Sequence, residues 1–373
     1  MKLDLLAWQT QRLMLDRIGY LRPFSKKAHQ RVLWVSAPDP ICHTQIFPFF
    51  YHARDWLARY GVEMREIPLA RWLSGDHPYQ DNELAAVCWQ TWFDWTPDQL
   101  LELAAKFKTS YPNARQAYVD WFAPADLRYA SVLNDVVDVY LKKQIFRDRE
   151  AYGKHTLGDT NLTDYYARRF DLPEATMHYP VPETFWPKLF LSPHFAFSPH
   201  MLPYFASTFP DRERKIDMHA RIAIKGTPWY SAMRGEALQA VQGLSERLTV
   251  ICEGRVSRKQ YFDELFHAKL CFSPFGYGEV CWRDFEAMFT GSLLLKPDMA
   301  HLECYPDVFE PYQTYVPLAW DLSDFRWKVD HYLSQTKERE AIARQAFEHL
   351  RTYFIARRFV DDTAPFFARL GLG

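Results

Sequence analysis

The sequence has almost no imbalance of charge: 45 lysines and arginines stand against 46 aspartates and glutamates. That excludes the broad basic field of a nucleic-acid-binding chain, although a local anion site needs only a few donors. No apolar run approaches the roughly 18–20 residues needed to cross a bilayer. The opening segment carries Asp4, Gln9, Gln11, Arg12 and Asp16 inside its apolar pattern, which excludes a signal-peptide core. Residues 1–30 read as an N-terminal helix packed on the body, with Leu5, Leu6, Trp8, Leu13 and Ile18 on one stripe. The alternative is a peripheral anchor at the inner membrane through Trp8 and Arg12. The six cysteines, Cys42, Cys88, Cys252, Cys271, Cys281 and Cys304, form no CxxC pair. Most lie in apolar runs, so buried reduced thiols in a cytoplasmic protein are expected. HExxH, DxD and spaced Cys/His sets are missing, and no metal site is expected. A GxSxG elbow and a GxxxxGK[ST] loop are also missing. No GxGxxG follows the first strand, which argues against a dinucleotide-dependent oxidoreductase.

What is present is a long chain with a repeated βα rhythm. At 373 residues it exceeds the roughly 250–300 at which single cores stop growing, so two domains are expected. Aromatic residues make up 17%, which fits either a large aromatic core or a cleft lined for stacking on sugar rings. RVLWVS (31–36) reads as a strand, FFYHARDWLARYG (49–61) as a helix closed by Gly61, and VEMREIPL as a second strand. LAAVCWQTW is a third strand, and a helix follows with Thr96 as N-cap and Pro97 at its first position. ARQAYVDWF is a fourth strand, and residues 126–146 read as a helix. Residues 31–150 therefore form one Rossmann-like α/β domain with a parallel sheet. Residues 151–213 are rich in proline and aromatics and read as an irregular connector. A second Rossmann-like domain is expected over 214–345, and two helices over 346–373.

The most informative stretch is SPFGYGEVCWRDFEAMFTGSLLLKP, residues 273–297. A strand ends at Ser273, Gly276 and Gly278 allow a tight turn, and a helix starts near Val280. The first turn of that helix is an anion site, and Arg283 stands there with a bidentate fork. Glu286 lies on the same helical face, where a carboxylate can accept hydrogen bonds from ribose hydroxyls. Glu279 stands at the turn itself. A plain surface ion pair between Arg283 and Glu286 or Asp284 is the competing reading.

This run resembles the donor half of GT-B glycosyltransferases, and is most similar to the exostosin-like and spore-maturation-like group-1 branches. The matching residues are Ser273, Pro274, Gly276, Gly278, Arg283, Glu286, Ala287 and Gly291. The resemblance implies an α/β GT-B fold of two Rossmann-like domains facing across a cleft. It also implies Arg283 on the donor diphosphate, Glu286 on the ribose, and C-terminal helices crossing back to the first lobe. Lys225 would meet the diphosphate from the opposite side, and Arg255 would flank the base; both are equally readable as solvated surface residues. One departure stands out: Glu279 and Glu286 are seven positions apart, where many retaining members carry two glutamates at eight. No stereochemistry is assigned from that pair.

An inverting transfer needs a base for the acceptor hydroxyl. Asp39 and His43 follow the first strand, and Asp120 ends the fourth, beside Trp121. Each has a structural alternative, as a helix cap or a packed side chain. The expected activity is transfer from a UDP- or GDP-sugar, without a metal or other cofactor, to a glycan or lipid-linked glycan of a bacterial envelope polysaccharide. A non-catalytic GT-B-like binding subunit is the main rival.

Overall fold

The computed structural model describes residues 22–25, 28–80, 83–192, 198–355 and 358–372. The stripe expected between Leu5 and Ile18 lies outside the described residues. Strands are numbered in chain order: β1 Gln30–Ser36, β2 Val62–Pro68, β3 Ala86–Trp89, β4 Arg115–Val119, β5 Val139–Lys142, β6 Gln144–Phe146, β7 Thr156–Leu157, β8 Thr176–Met177, β9 Leu189–Leu191, β10 Ile216–His219, β11 Val250–Ile251, β12 Ala268–Phe272, β13 Leu293–Pro297, β14 Leu302–Cys304 and β15 Val316–Leu318.

The first lobe is built on a six-stranded sheet in the order β2-β1-β3-β4-β5-β9, parallel throughout. The second is built on a five-stranded parallel sheet in the order β11-β10-β12-β13-β15. Central strands such as β3 and β13 are buried along their whole length, as parallel sheets covered on both faces require. The 17% of aromatic residues go largely into these cores: Trp34, Trp56 and Trp89 are fully buried.

The local signals behave as their chemistry dictates. Thr96 accepts from Gln99 N and the Gln99 side chain returns to Thr96 N, so both helix-end donors are satisfied. Gly61 closes the Ala53–Tyr60 helix at φ 66°, the left-handed region that favours glycine.

The helix expected over 126–146 is not formed. Only Ala130–Leu133 is helical, and β5 and β6 follow. Val139, Tyr140 and Leu141 are fully buried between β4 and β9, a place that β-branched and aromatic side chains fill well. The connector 151–213 is also more ordered than its proline content suggests. It holds the helix Asn161–Arg169 and β9, the edge strand of the first sheet.

Two features join the lobes on one side. β6 pairs antiparallel with β14, so the continuation of β5 forms a ribbon with the second lobe. The helix Arg358–Arg369 packs against the first lobe, with Phe367 on Trp56 (4.5 Å between ring centroids) and Phe359 on Phe49 (5.0 Å). The loops at the carboxyl ends of β4 and β12 meet each other. A Cβ on Gly278 would stand 1.8 Å from the carbonyl oxygen of Ala123.

Candidate functional site

A cavity of about 880 Å³ opens at the carboxyl ends of β10 and β11 in the second lobe. Ligands of open α/β sheets bind at such ends. Its lining brings together four of the residues singled out in the sequence: Lys225, Arg255, Arg283 and Glu286. Arg221 and Arg258 add two further cations, and Glu253 is the other acid. With Arg221 matched by Glu264 behind the wall, four basic side chains against two carboxylates still make the cavity a place for an anion.

Arg283 is placed by the helix Trp282–Thr290. The backbone N–H of Cys281 donates to Asp284 at 2.8 Å, which fixes the entry of that helix. Asp284 also accepts from Ser273 Oγ at 2.6 Å and pairs with the buried Lys296 at 3.0 Å, tying the helix to β12 and β13. Burial raises the Asp284 carboxyl above its usual range. Arg283 donates through Nη2 to the carbonyl of Arg221, while its Nε is buried with no hydrogen-bond partner. A buried guanidinium N–H left without an acceptor is what a bound anion would satisfy.

The opposite wall is held by Arg221 and Arg234. Arg221 makes a fork to Glu264, at 2.7 Å and 2.8 Å, and donates to the carbonyl of Gly254 at 2.8 Å. Arg234 bridges the carbonyls of Ala223 and Phe275, at 2.7 Å and 2.8 Å, so the loops after β10 and β12 are joined. Beneath them His219 is fully buried. Burial, reinforced by the Arg283 charge, pushes its imidazole down to about 3, so it is neutral at pH 7.

Glu286 is not paired as a plain helix-surface ion. Its Oε2 accepts from Tyr261 OH at 2.7 Å, and its Oε1 is 3.0 Å from His200 Nε2. Arg221 and His200 were not legible as site residues. Arg221 lies in a run that reads as continuous strand, and His200 stands in the proline-rich connector with no pattern around it.

The remaining candidates lie elsewhere. Gly276 and Gly278 shape the turn after β12; Gly278 is needed for the approach to Ala123, which is a contact between lobes. Glu279 is fully buried outside this cavity, accepting from Gln144 and Asn161 at 2.9 Å each, with His301 Nε2 at 3.3 Å. Asp120 is fully buried and accepts from Tyr140 OH (2.6 Å), Lys142 Nζ (2.7 Å) and Phe122 N (2.9 Å). Its neighbour Trp121 is buried against Trp92 rather than presented to a ligand. Asp39 caps the Pro40–Tyr51 helix, accepting from Ile41 N at 2.7 Å. His43 lies in the first turn of that helix, with Nδ1 2.8 Å from Glu66 Oε1. Beside Glu279, burial and the charge of Lys142 push the Lys143 ammonium down to about 7. Among the described residues, no group of three or more His, Cys, Asp or Glu side chains is arranged to hold a metal ion.

A family model described as glycosyl transferase-like matches residues 211–362, which hold the second sheet and all of the cavity lining except His200. Residues 211–362 are thus similar to a glycosyl transferase-like domain. Together with the two parallel sheets, this agrees with the two-lobed α/β GT-B architecture that the motif at 273–297 implied; the exostosin-like branch is not singled out. No curated protein matches the chain. Among solved structures it is similar to an alpha-glucosyltransferase in complex with UDP-glucose and DNA containing an abasic site, at 10% identity over 89% of this chain and 99% of that one, TM-score 0.49. It is also similar to sucrose-phosphate synthase from Thermosynechococcus elongatus, at 11% identity over 92% and 99%, TM-score 0.47. TarM matches at 12% identity over 78% of this chain and 56% of that one, TM-score 0.45.

No described helix is long and apolar enough to cross a membrane.

Proposed function

We propose that this glycosyltransferase moves a sugar from a UDP- or GDP-sugar to a hydroxyl of a glycan or lipid-linked glycan, in bacterial envelope polysaccharide synthesis on the cytoplasmic side. One observation carries the donor assignment: five basic side chains line the cavity at the ends of β10 and β11, and the Nε of Arg283 is buried there without an acceptor. The diphosphate would lie against Arg283 and the helix start, with Lys225 opposite, and the nucleoside would extend toward Arg255 and Glu286. Charge that develops on the leaving diphosphate is then met by donors already in place, which is the arrangement that lowers a barrier most.

For the acceptor, His43 is the favoured base among Asp39, His43 and Asp120. Glu66 orients its ring through Nδ1 at 2.8 Å, as a base needs a fixed imidazole. Asp120 already accepts three hydrogen bonds in a fully buried position, and Asp39 is engaged as a cap.

The test is a thermal-shift screen against UDP, GDP, CMP and ADP, with NAD as control, with and without magnesium. Binding to the folded state raises Tm by mass action. One nucleoside diphosphate is expected to raise Tm, and Arg283→Ala to abolish the shift and lower turnover at least about 100-fold. A shift with CMP alone would move the donor to a CMP-sugar. No shift with any nucleotide, or wild-type turnover in Arg283→Ala, would overturn the donor assignment.

A further inference from the structure

The wall of the donor cavity is not supplied by the matched domain alone. Residues 198–205 come from the connector, before the matched span of 211–362. They are fastened to the second lobe: Met201 and Leu202 are buried, and the Tyr204 ring stacks on Phe262 at 3.9 Å and 9°. From this anchored segment His200 reaches the cavity, its ring edge-on to Trp282 at 5.0 Å.

We propose that His200 is the positioning residue that sets Glu286 for recognition of the donor ribose; this rests on the donor assignment above. The hydrogen bonds define the tautomer. Glu286 accepts only, so Nε2 carries the proton at the 3.0 Å contact, and Nδ1 accepts from the buried Ser198 hydroxyl. Tyr261 OH holds the other carboxylate oxygen at 2.7 Å. Burial, with the Glu286 charge beside it, raises the Tyr261 phenol well above its usual range, so it remains a donor. Each carboxylate oxygen offers two lone pairs, so one donor on each oxygen leaves acceptor capacity on both for the two ribose hydroxyls. Two fixed donors also set the plane of the carboxylate, which decides where those lone pairs point. Without His200 the carboxylate is held at one oxygen and turns about its terminal bond, which has a broad rotational well.

The readout is the ratio of affinities for ribose and deoxyribose forms, measured calorimetrically with UDP, GDP and their 2′-deoxy and 3′-deoxy counterparts. A hydrogen bond to a charged acceptor separates such pairs by roughly 10- to 100-fold. In the wild type the ribose form is expected to bind tighter by that factor. His200→Ala is expected to collapse the ratio toward one, and His200→Gln, whose amide N–H can reach the same oxygen, to restore most of it. A merely structural role for His200 would lower all affinities together and leave the ratio unchanged, which overturns the inference while leaving the donor assignment standing. Failure of the wild type to bind either diphosphate overturns both.

Discussion

Gly278 lies so close to the Ala123 carbonyl that a Cβ would sit 1.8 Å from its oxygen. That oxygen already accepts from the Gln144 amide at 3.0 Å, and the same amide donates to the buried Glu279 at 2.9 Å. One side chain of the first lobe is thus tied to two points of the junction. Gly278→Ala must push the two loops apart. It is expected to cost about 1–3 kcal/mol, the usual penalty for overpacking, and to lower Tm while enlarging the radius of gyration in solution scattering. A variant with wild-type Tm and dimensions would show that the loops do not meet in solution.

His43 and Glu66 make a second testable pair. If His43 takes the acceptor proton, His43→Ala lowers kcat by roughly 100- to 10,000-fold. Donor KM should remain within about twofold, since the residue is outside the cavity at the ends of β10 and β11. Glu66→Gln should show a smaller loss of kcat, because the carboxylate that orients the ring through Nδ1 is gone. A rate unchanged in both variants removes His43 from the mechanism.

Lys142 and Asp120 form a fully buried ion pair at 2.7 Å. Lys142→Met leaves a buried carboxylate with only a hydroxyl and a backbone N–H as donors, at an expected cost of about 3–5 kcal/mol. Asp120→Asn combined with Lys142→Met should recover a large part of that loss in urea denaturation. Strict additivity of the two changes would contradict the pairing.

His219 predicts how stability depends on pH. Its folded value of about 3 lies below its unfolded value near 6.5. Between those limits the unfolded chain binds the extra proton, so stability falls as pH drops from 6.5 toward 3; above 6.5 the contribution is fully present. The slope from this one group is at most about 1.4 kcal/mol per pH unit. His219→Gln should flatten the loss between pH 6.5 and 4.5 in denaturant titrations. An unchanged slope would place the acid sensitivity in other groups.

The parts of the fold that local chemistry encodes were readable in the sequence. Thr96 and Gly61 announce helix ends, because caps act within a few residues. The strand, turn and helix at 273–297 located Arg283 and Glu286 in one cavity for the same reason. What escaped depends on distant partners. Residues 126–146 have a pattern that fits a helix, yet β4 and β9 claim them for the sheet. The partners of Gly278 and Glu279 in the fold, Ala123, Gln144 and Asn161, are more than a hundred positions away. Arg221 and His200 gain their meaning only from Glu264 and Glu286.

The helix Arg358–Arg369 has a consequence for biosynthesis. Phe359, Phe366 and Phe367 fill the first lobe's core around Phe49, at ring distances of 5.0, 5.9 and 6.0 Å. On the ribosome, domains generally fold as units from the N-terminal side. Here the lobe made first waits for aromatic side chains made some 300 residues later. Until they emerge, Trp34, Phe49 and Trp56 lack part of their cover, so the nascent first lobe exposes an aromatic surface that a chaperone would have to shield.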